Sequence, residues 1–181
     1  MTTGARLIHV LIEGPPVPGA RPRAKIIPAH GTGAMHTQAR PAIYLPRGGR
    51  MRQWQRCAAA EILRARANQC GGQMVFPDGD PIEVWILVVL GWPASEIRKA
   101  RQRAWLTKAV GDWDNFAKPV CDAANGVLWH DDRQIVRGTV EKIIGHPGER
   151  PRLELIARAV TSEPTETLFD SVRKEGAPRP V

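Results

Sequence analysis

Several aspartates and one lysine are concentrated between residues 112 and 132 of a chain that is otherwise strongly basic. Asp112 and Asp114 are two residues apart, so in an extended segment both carboxylates point the same way. Lys118 follows Asp114 by one helical turn. Grouped carboxylates bind hard divalent cations such as Mg²⁺, and the bound ion activates water and neutralises phosphate charge. The pattern therefore indicates metal-assisted hydrolysis of a phosphodiester, with Lys118 steadying a phosphate oxygen.

A short helix is predicted over residues 115–125, ending at the pair Asn125-Gly126, which suits a helix C-terminus. Asp122 shares a face of this helix with Lys118. After Gly126 the chain is long enough to double back, and one carboxylate of Asp131-Asp132 would then lie beside the first two. The residues predicted to support the metal ligands without binding the ion are Asn115, Asp122 and the member of the pair Asp131-Asp132 that does not bind it.

Each acidic residue also has an ordinary structural interpretation. Asp114 is a good N-cap residue, and the pair Asp131-Asp132 suits a turn. Asp122 can simply form an ion pair with Lys118 on a solvated helix face. Spacing alone therefore leaves the structural and the catalytic interpretations both open.

Zinc chemistry and a disulfide framework are disfavoured. The five histidines are scattered without an HExxH spacing, and the three cysteines form no CxxC pair. Cys121, inside the predicted helix, is interpreted as a small buried apolar residue, and His130 as a hydrogen-bonding neighbour of the late aspartates. No apolar run is long enough for a membrane span or a signal peptide, so we expect a cytoplasmic protein with no membrane partner.

The charge distribution indicates an anionic partner such as nucleic acid. The net charge is +8 and the pI about 10.1, and residues 1–60 contain nine Arg or Lys and one acid, Glu13. Residues 14–48 carry so many prolines and glycines that we predict a long basic loop without regular structure. Arg21, Arg23 and Lys25 in this loop are the predicted DNA-binding residues, through phosphate contacts.

Hydrophobic periodicity predicts the elements that must position the site. They are a strand over 7–13, an amphipathic helix over about 50–68, a central strand over 82–92 covered on both faces, a helix of about a dozen residues capped by Ser95, and strands over 134–144 and 153–160. We therefore predict one α/β (α+β) domain over residues 1–160, with a mixed sheet of about four strands and two or three helices. Residues 161–181 are predicted to be a disordered tail.

Tryptophan placement is the last feature with a functional interpretation. Most of the six tryptophans lie in apolar periods typical of a core. Trp113 and Trp129 flank the acidic residues, and they are the two candidates for stacking on bases.

The string DWDNFAKPVCDAANGVLWHDDRQIV resembles the signature of the RusA family of Holliday junction resolvases, and GPPVPGARPRAK is similar to the opening of many family members. The resemblance implies that Asp112, Asp114 and Asp132 are the catalytic, metal-binding aspartates and that Lys118 is the catalytic lysine. It also implies Mg²⁺ or Mn²⁺ as cofactor and a homodimer that makes paired nicks in four-way DNA junctions. Two departures from the family pattern are Gly111, where a basic lead-in is expected, and Trp113, which replaces an aliphatic residue.

The sequence thus predicts a Mg²⁺-dependent, structure-selective endodeoxyribonuclease that acts on Holliday junctions. Two alternatives remain open at this level. One is a catalytically inert DNA-binding protein of the same fold, in which the carboxylates serve only caps and turns. The other is a nuclease for flaps or other branched DNA.

Overall fold

The structure is a computed structural model that describes residues 6–19, 23–27, 40–44, 49–93, 96, 102–105 and 111–160. Its strands are β1 (Leu7–Glu13), β2 (Arg23–Ile27), β3 (Arg40–Tyr44), β4 (Ile82–Leu90), β5 (Ala104–Trp105), β6 (Ile135–Ile144) and β7 (Arg152–Ala159). The helices are α1 (Gly49–Cys70) and α2 (Trp113–Ala124), followed by a 3₁₀ turn at Asp132–Gln134. No helix in these ranges is long and apolar enough to cross a bilayer.

A mixed sheet forms the centre of a single α+β domain. Its strand order is β1-β7-β4-β6-β5, in which β4 and β6 are parallel and the other neighbours antiparallel. The predicted fold class is confirmed, with five strands in this sheet where about four were expected. The β4 strand is the middle strand, as its continuous apolar run predicts.

Both helices pack on one face of the sheet. Alternation in β1 turns Ile8, Val10 and Ile12 inward, and all three are at most 1% exposed. Residues of α1 spaced by four, Trp54, Ala58 and Ile62, are buried in the same cluster, together with Phe116 and Val120 of α2. The predicted amphipathic helix is thereby confirmed, and α2 is held against the sheet.

The opposite face of the sheet differs from the expectation that β4 is covered on both sides. In β4 the burial alternates: Ile82, Val84 and Ile86 are buried, whereas Trp85 and Leu87 are only partly buried. Neither α1 nor α2 packs on this side, although Val89 near the end of β4 is buried there, next to Gly145 and Glu149. A continuous apolar run is therefore compatible with a face that the described part of the chain leaves largely uncovered.

Two further predictions need correction. The segment 14–48 is not without regular structure, since β2 and β3 pair antiparallel within it. Pro41 fits in β3 because each strand of a two-stranded ribbon keeps one unpaired edge, where a missing N–H costs little. The predicted helix after Ser95 is wrong at its end, where Ala104–Trp105 forms β5. Ser95 itself, residues 97–101 and the tail over 161–181 lie outside the described residues.

Candidate active site

The N-terminus of α2 presents the first two aspartates. Asp112 is the N-cap residue, with an extended backbone (φ −72°, ψ 165°), and Asp114 lies in the first turn. The helix thus begins two residues earlier than predicted. The Asp112 side chain makes no cap hydrogen bond to the helix. Capping, the ordinary structural role of an acid at this position, therefore does not account for Asp112.

Gly111 sets the approach of the chain to Asp112. Its φ is +79°, and a Cβ built on it would lie 2.7 Å from Cβ of Pro18 and 3.2 Å from the Phe116 ring. The Gly111 carbonyl also accepts a hydrogen bond of 3.0 Å from Lys142 Nζ on β6. The departure from the family pattern at this position thus has a packing reason, because Pro18 occupies the space of a side chain.

The proline-rich segment after β1 is tied to the first turn of α2. The Gly19 N–H donates to the Asn115 carbonyl at 2.6 Å. That carbonyl needs an outside donor because Pro119, four residues on, has no N–H to give it. Pro119 lies inside α2, in its second turn. The helix is relieved instead by a donor from another segment.

The chain does double back after α2. Gly126, at φ +70°, donates its N–H to the Trp129 carbonyl at 2.8 Å, and the Trp129 indole donates to the Asn125 side chain at 2.7 Å. Trp129 is 0% exposed, so it is a core residue and not a stacking surface. Its burial fixes the direction in which residues 130–132 leave the turn.

The 3₁₀ turn gives the two late aspartates different surroundings. Asp131 caps the turn, and its carboxylate accepts the Arg133 N–H at 3.0 Å, which lowers the pKa of Asp131. Gln134 accepts from the His130 and Asp131 N–H groups and donates to the carbonyls of Pro77 and Asp80. Sequence reasoning missed these hydrogen bonds of Gln134, although the spacing Asp-x-x-Gln is that of a capping box.

Asp132 faces α2. Its Oδ2 lies 2.8 Å from Lys118 Nζ, and the same Nζ lies 2.8 Å from Oδ1 of Asp122. Hydrogen bonds to Asp122 first and then to Asp132 raise the pKa of Lys118, so the ammonium is protonated at neutral pH. The chain therefore returns to α2, where Asp132 contacts Lys118 one turn from Asp114, and a position of Asp132 beside both Asp112 and Asp114 stays a prediction.

The family assignment rests on a comparison of the whole sequence. A model of the family described as endodeoxyribonuclease RusA matches residues 13–156. This chain belongs to the RusA family. The match includes both the proline-rich segment and the acidic site, in agreement with the resemblance of the motif. No curated protein gave a significant match to the chain.

Membership makes the acidic site of this RusA-family chain its candidate endodeoxyribonuclease centre. The carboxylates of Asp112, Asp114 and Asp132 are hard oxygen donors on exposed or half-buried residues, which suits an ion such as Mg²⁺ that keeps water and phosphate ligands. Within the described ranges no three His, Cys, Asp or Glu side chains are grouped as ligands of one ion. The oxygen donors therefore fit the chemistry of Mg²⁺, whereas the grouping of the three carboxylates around one ion stays a prediction.

Two other candidates of the RusA-family site are now placed. Cys121 is buried, and burial raises the pKa of its thiol to about 12, which confirms it as a core residue without nucleophilic character. Trp113, between the two early aspartates, is 61% exposed. Of the predicted DNA-binding residues, Arg21 lies outside the described residues, and Arg23 and Lys25 belong to β2.

Proposed function

We propose that the protein is a Mg²⁺- or Mn²⁺-dependent endodeoxyribonuclease that resolves Holliday junctions by paired phosphodiester hydrolysis. The observation that supports this most directly is the contact of Lys118 with Asp132 at 2.8 Å, in a chain of the RusA family. It places a carboxylate from after the turn beside the helix that carries Asp114. Caps and turns alone would not need Asp132 to face α2, because Asp131 already caps the turn.

In the proposed mechanism Asp112, Asp114 and Asp132 would hold the ion, which would supply an activated water and neutralise charge on the scissile phosphate. The chain's own contribution is the Lys118 ammonium. A lysine is already protonated at neutral pH, and the two carboxylates raise the pKa of Lys118 further, so its ammonium can donate a hydrogen bond to a non-bridging phosphate oxygen as negative charge develops there. Asp122, one helical turn beyond Lys118, would keep the ammonium in place while Asp132 holds the ion.

Substrate binding is proposed to use the basic N-terminal segment. Gly19 is hydrogen-bonded to Asn115 of α2, so the described range 6–19 ends beside the first turn of that helix. Arg21, Arg23 and Lys25 come directly after this anchor and are proposed to bind DNA phosphates on either side of the cut. Paired nicks in opposed strands require two such sites, which a symmetric homodimer provides.

The two neighbouring late aspartates allow a matched test. Asp132→Asn should abolish Mg²⁺-dependent cleavage of a synthetic four-way junction, a loss of about a thousandfold or more, with junction binding retained. Asp131→Asn is the control, since an asparagine side-chain oxygen can still accept the Arg133 N–H and leave the turn intact. Rates are measured with Mg²⁺ and with EDTA, and affinities by gel shift in EDTA.

The same assay separates the alternatives. An inert DNA-binding protein would bind the junction but show no metal-dependent nicking in the wild type. A nuclease for other branched DNA would cleave a flap or fork faster than the four-way junction. Comparable cleavage by wild type and Asp132→Asn would refute the assignment of the site.

A further inference from the structure

A cleft lies beside the proline-rich segment, at the end of the domain where α1 begins, and is called here the proline cleft. Its volume is about 480 Å³. The segment after β1, the end of β4 and the residue before β7 form its apolar walls, with Pro15, Val17, Pro18, Leu90 and Pro151 as lining residues. Among the described residues that line it, Arg50 in the first turn of α1 is the one that carries a charge. Apolar clefts of this size with few polar groups are typical of ligand sites.

The Arg50 guanidinium is available for an anion from outside the chain. Arg50 is exposed, and it forms no ion pair with another described residue. Glu13 shares a smaller neighbouring cleft of about 280 Å³ with Arg50 but is not paired with it. The first turn of α1 contains no acidic residue, so the unpaired N–H groups at the start of this helix add to the attraction for an anion. The cleft thus combines apolar walls with one site for a phosphate.

The proline cleft lies near the acidic site, as the packing of the two helices shows. Gln55 of α1 donates to the Pro119 carbonyl of α2 at 3.5 Å, and Arg66 donates at 3.1 Å to the carbonyl three residues beyond the end of α2. The two helices therefore lie side by side and run in the same direction. Arg50 and Asp114 each precede the first of these contacts by five residues, so they lie at a similar height on the two helices. Neighbouring helix axes are about 8–10 Å apart, which places Arg50 close to the carboxylates.

Pro18 connects the cleft to the site. It lines the proline cleft, and its Cβ lies 2.7 Å from the position of a Cβ built on Gly111, the residue before Asp112. A DNA strand with its scissile phosphate at the carboxylates would therefore pass Arg50 within a few nucleotides, at about 3.4 Å of rise for each nucleotide. The nucleotide that passes Arg50 would have its phosphate at the guanidinium and its base next to the apolar walls.

We propose that the proline cleft is a nucleotide subsite for the strand that is cut, in which Arg50 binds a phosphate near the scissile bond and the base of that nucleotide leaves the stack and enters the cleft. Pro15, Val17 and Leu90 offer apolar surface to the flat face of the base. Turning a base out is costly in continuous duplex and easier where pairing is disturbed, as at a branch point. The subsite therefore favours branched DNA over duplex. The proposal rests on the proposed function for the identity of its ligand.

The first test follows the base directly, in EDTA so that no strand is cut. The probe is 2-aminopurine, a base whose fluorescence rises when it leaves the stack, placed in turn at each position within a few nucleotides of the branch point of a synthetic four-way junction. Saturating wild-type protein should raise the fluorescence several-fold at one or more positions. Arg50→Ala should abolish this rise, and Arg50→Lys, which keeps the charge, should recover most of it. Arg52→Ala is the matched control, because Arg52 is an exposed arginine of the same helix that does not line the cleft, and the rise should persist.

A second variant tests the apolar wall without removing Arg50. Pro15 is exposed at the edge of the cleft, so Pro15→Glu places a carboxylate beside Arg50 without disturbing the core. It should suppress the fluorescence rise and weaken junction binding by about tenfold, because the new carboxylate competes with the phosphate for the guanidinium. Leu63→Glu adds the same charge at an exposed position of α1 outside the cleft and should change neither quantity. Circular dichroism checks that the variants are folded.

Gel shifts on the same samples separate the possible failures. A junction that is bound by wild type without a fluorescence rise at any position would overturn the nucleotide subsite and leave the proposed function intact. Arg50→Ala or Pro15→Glu variants that give the wild-type rise would also overturn the subsite. A wild type that binds no junction would contradict the proposed function and, with it, the ligand assigned to the cleft.

Discussion

At the scale of single residues, Asp131 and Asp132 show how chemically identical neighbours take different roles. Asp131 accepts a backbone N–H within the 3₁₀ turn, and Asp132 points across to Lys118 on α2. The buried side chain of Gln134 holds this arrangement. It accepts the N–H groups of His130 and Asp131 and donates to the carbonyls of Pro77 and Asp80. The residue type therefore determines which chemistry is possible, and the hydrogen bonds determine which of the two aspartates is available for that chemistry.

Asp122 provides a prediction at this scale. Asp122→Asn removes one negative charge beside Lys118. It should lower kcat for junction cleavage by about fivefold, the effect expected for the loss of one exposed ion pair, without raising KM. Asp122→Glu keeps the charge and should recover most of the loss. Single-turnover cleavage over a range of junction concentrations separates kcat from KM. A change confined to KM would show that Asp122 acts in binding and does not position Lys118.

At the scale of elements, the proline-rich segment acts as a strap over the start of α2. Gly19 supplies the hydrogen bond that Pro119 cannot make, and Pro18 fills the space beside Gly111. These contacts fix the position of the backbone from which Asp112 and Asp114 project. A short helix held by its N-terminus in this way is pre-organised for catalysis, since small displacements of reacting groups are costly in rate.

Two glycines near the two ends of α2 test the strap. Gly111→Ala and Gly126→Ala impose similar strain, because both backbones have φ near +70° to +80°. Only at Gly111 would the new Cβ collide with Pro18, whereas nothing lies within 4 Å at Gly126. Gly111→Ala should therefore reduce cleavage by about a hundredfold, and Gly126→Ala should leave it near wild type. Urea unfolding of both variants serves as the control for stability, and equal rates would argue against the strap.

The turn between β6 and β7 yields a prediction for pH. Glu149 accepts hydrogen bonds from Arg103, from Arg152 and from the His146 N–H, which hold its pKa below the usual carboxyl range. A lowered folded pKa stabilises the protein above the unfolded value, and the contribution is lost as the pH falls through the folded value. Glu149→Gln should thus lower Tm at pH 7 by several degrees, and its difference from wild type should shrink below about pH 4.5.

A surface carboxylate serves as the control for this pH prediction. Among the residues that the structure describes, Glu61 pairs with Arg64 on the exposed side of α1, so Glu61→Gln should change Tm little at any pH. Calorimetry of wild type and both variants between pH 3 and 7 makes the comparison. A Glu149→Gln difference that grows as the pH falls would contradict the assigned direction.

At the scale of the whole molecule, charge and apolar surface are separated. The basic excess lies in the first 60 residues, which include the proline-rich segment tied to α2 by Gly19, whereas on the outer face of the sheet Arg158 pairs with Glu83. A basic segment can draw DNA towards carboxylates that would otherwise repel it, because phosphate attraction acts over a Debye length of about 10 Å.

Salt dependence tests this distribution of charge. The association constant K for the junction should fall steeply as salt rises, and the plot of log K against log salt should become less steep by about 0.9 for each phosphate contact that is removed. We expect this smaller salt dependence for Arg21→Ala, Arg23→Ala and Lys25→Ala. Arg64→Ala, on the exposed side of α1, should leave the slope unchanged. Gel shifts in EDTA at several salt concentrations give the slopes. Equal slopes for all variants would show that residues 21–25 make no contact with DNA phosphates.

The sequence by itself determined β1, α1, β4, α2 and the strands that follow, because each carries a local hydrophobic period or a terminal signal. It also determined the family, through a motif whose residue types must be kept for the chemistry. Only the tertiary structure decided which late aspartate meets Lys118, that Pro18 and Gly19 hold the start of α2, and that one face of β4 is open. These depend on contacts between residues far apart in the chain, and a local pattern carries no information about its distant partner.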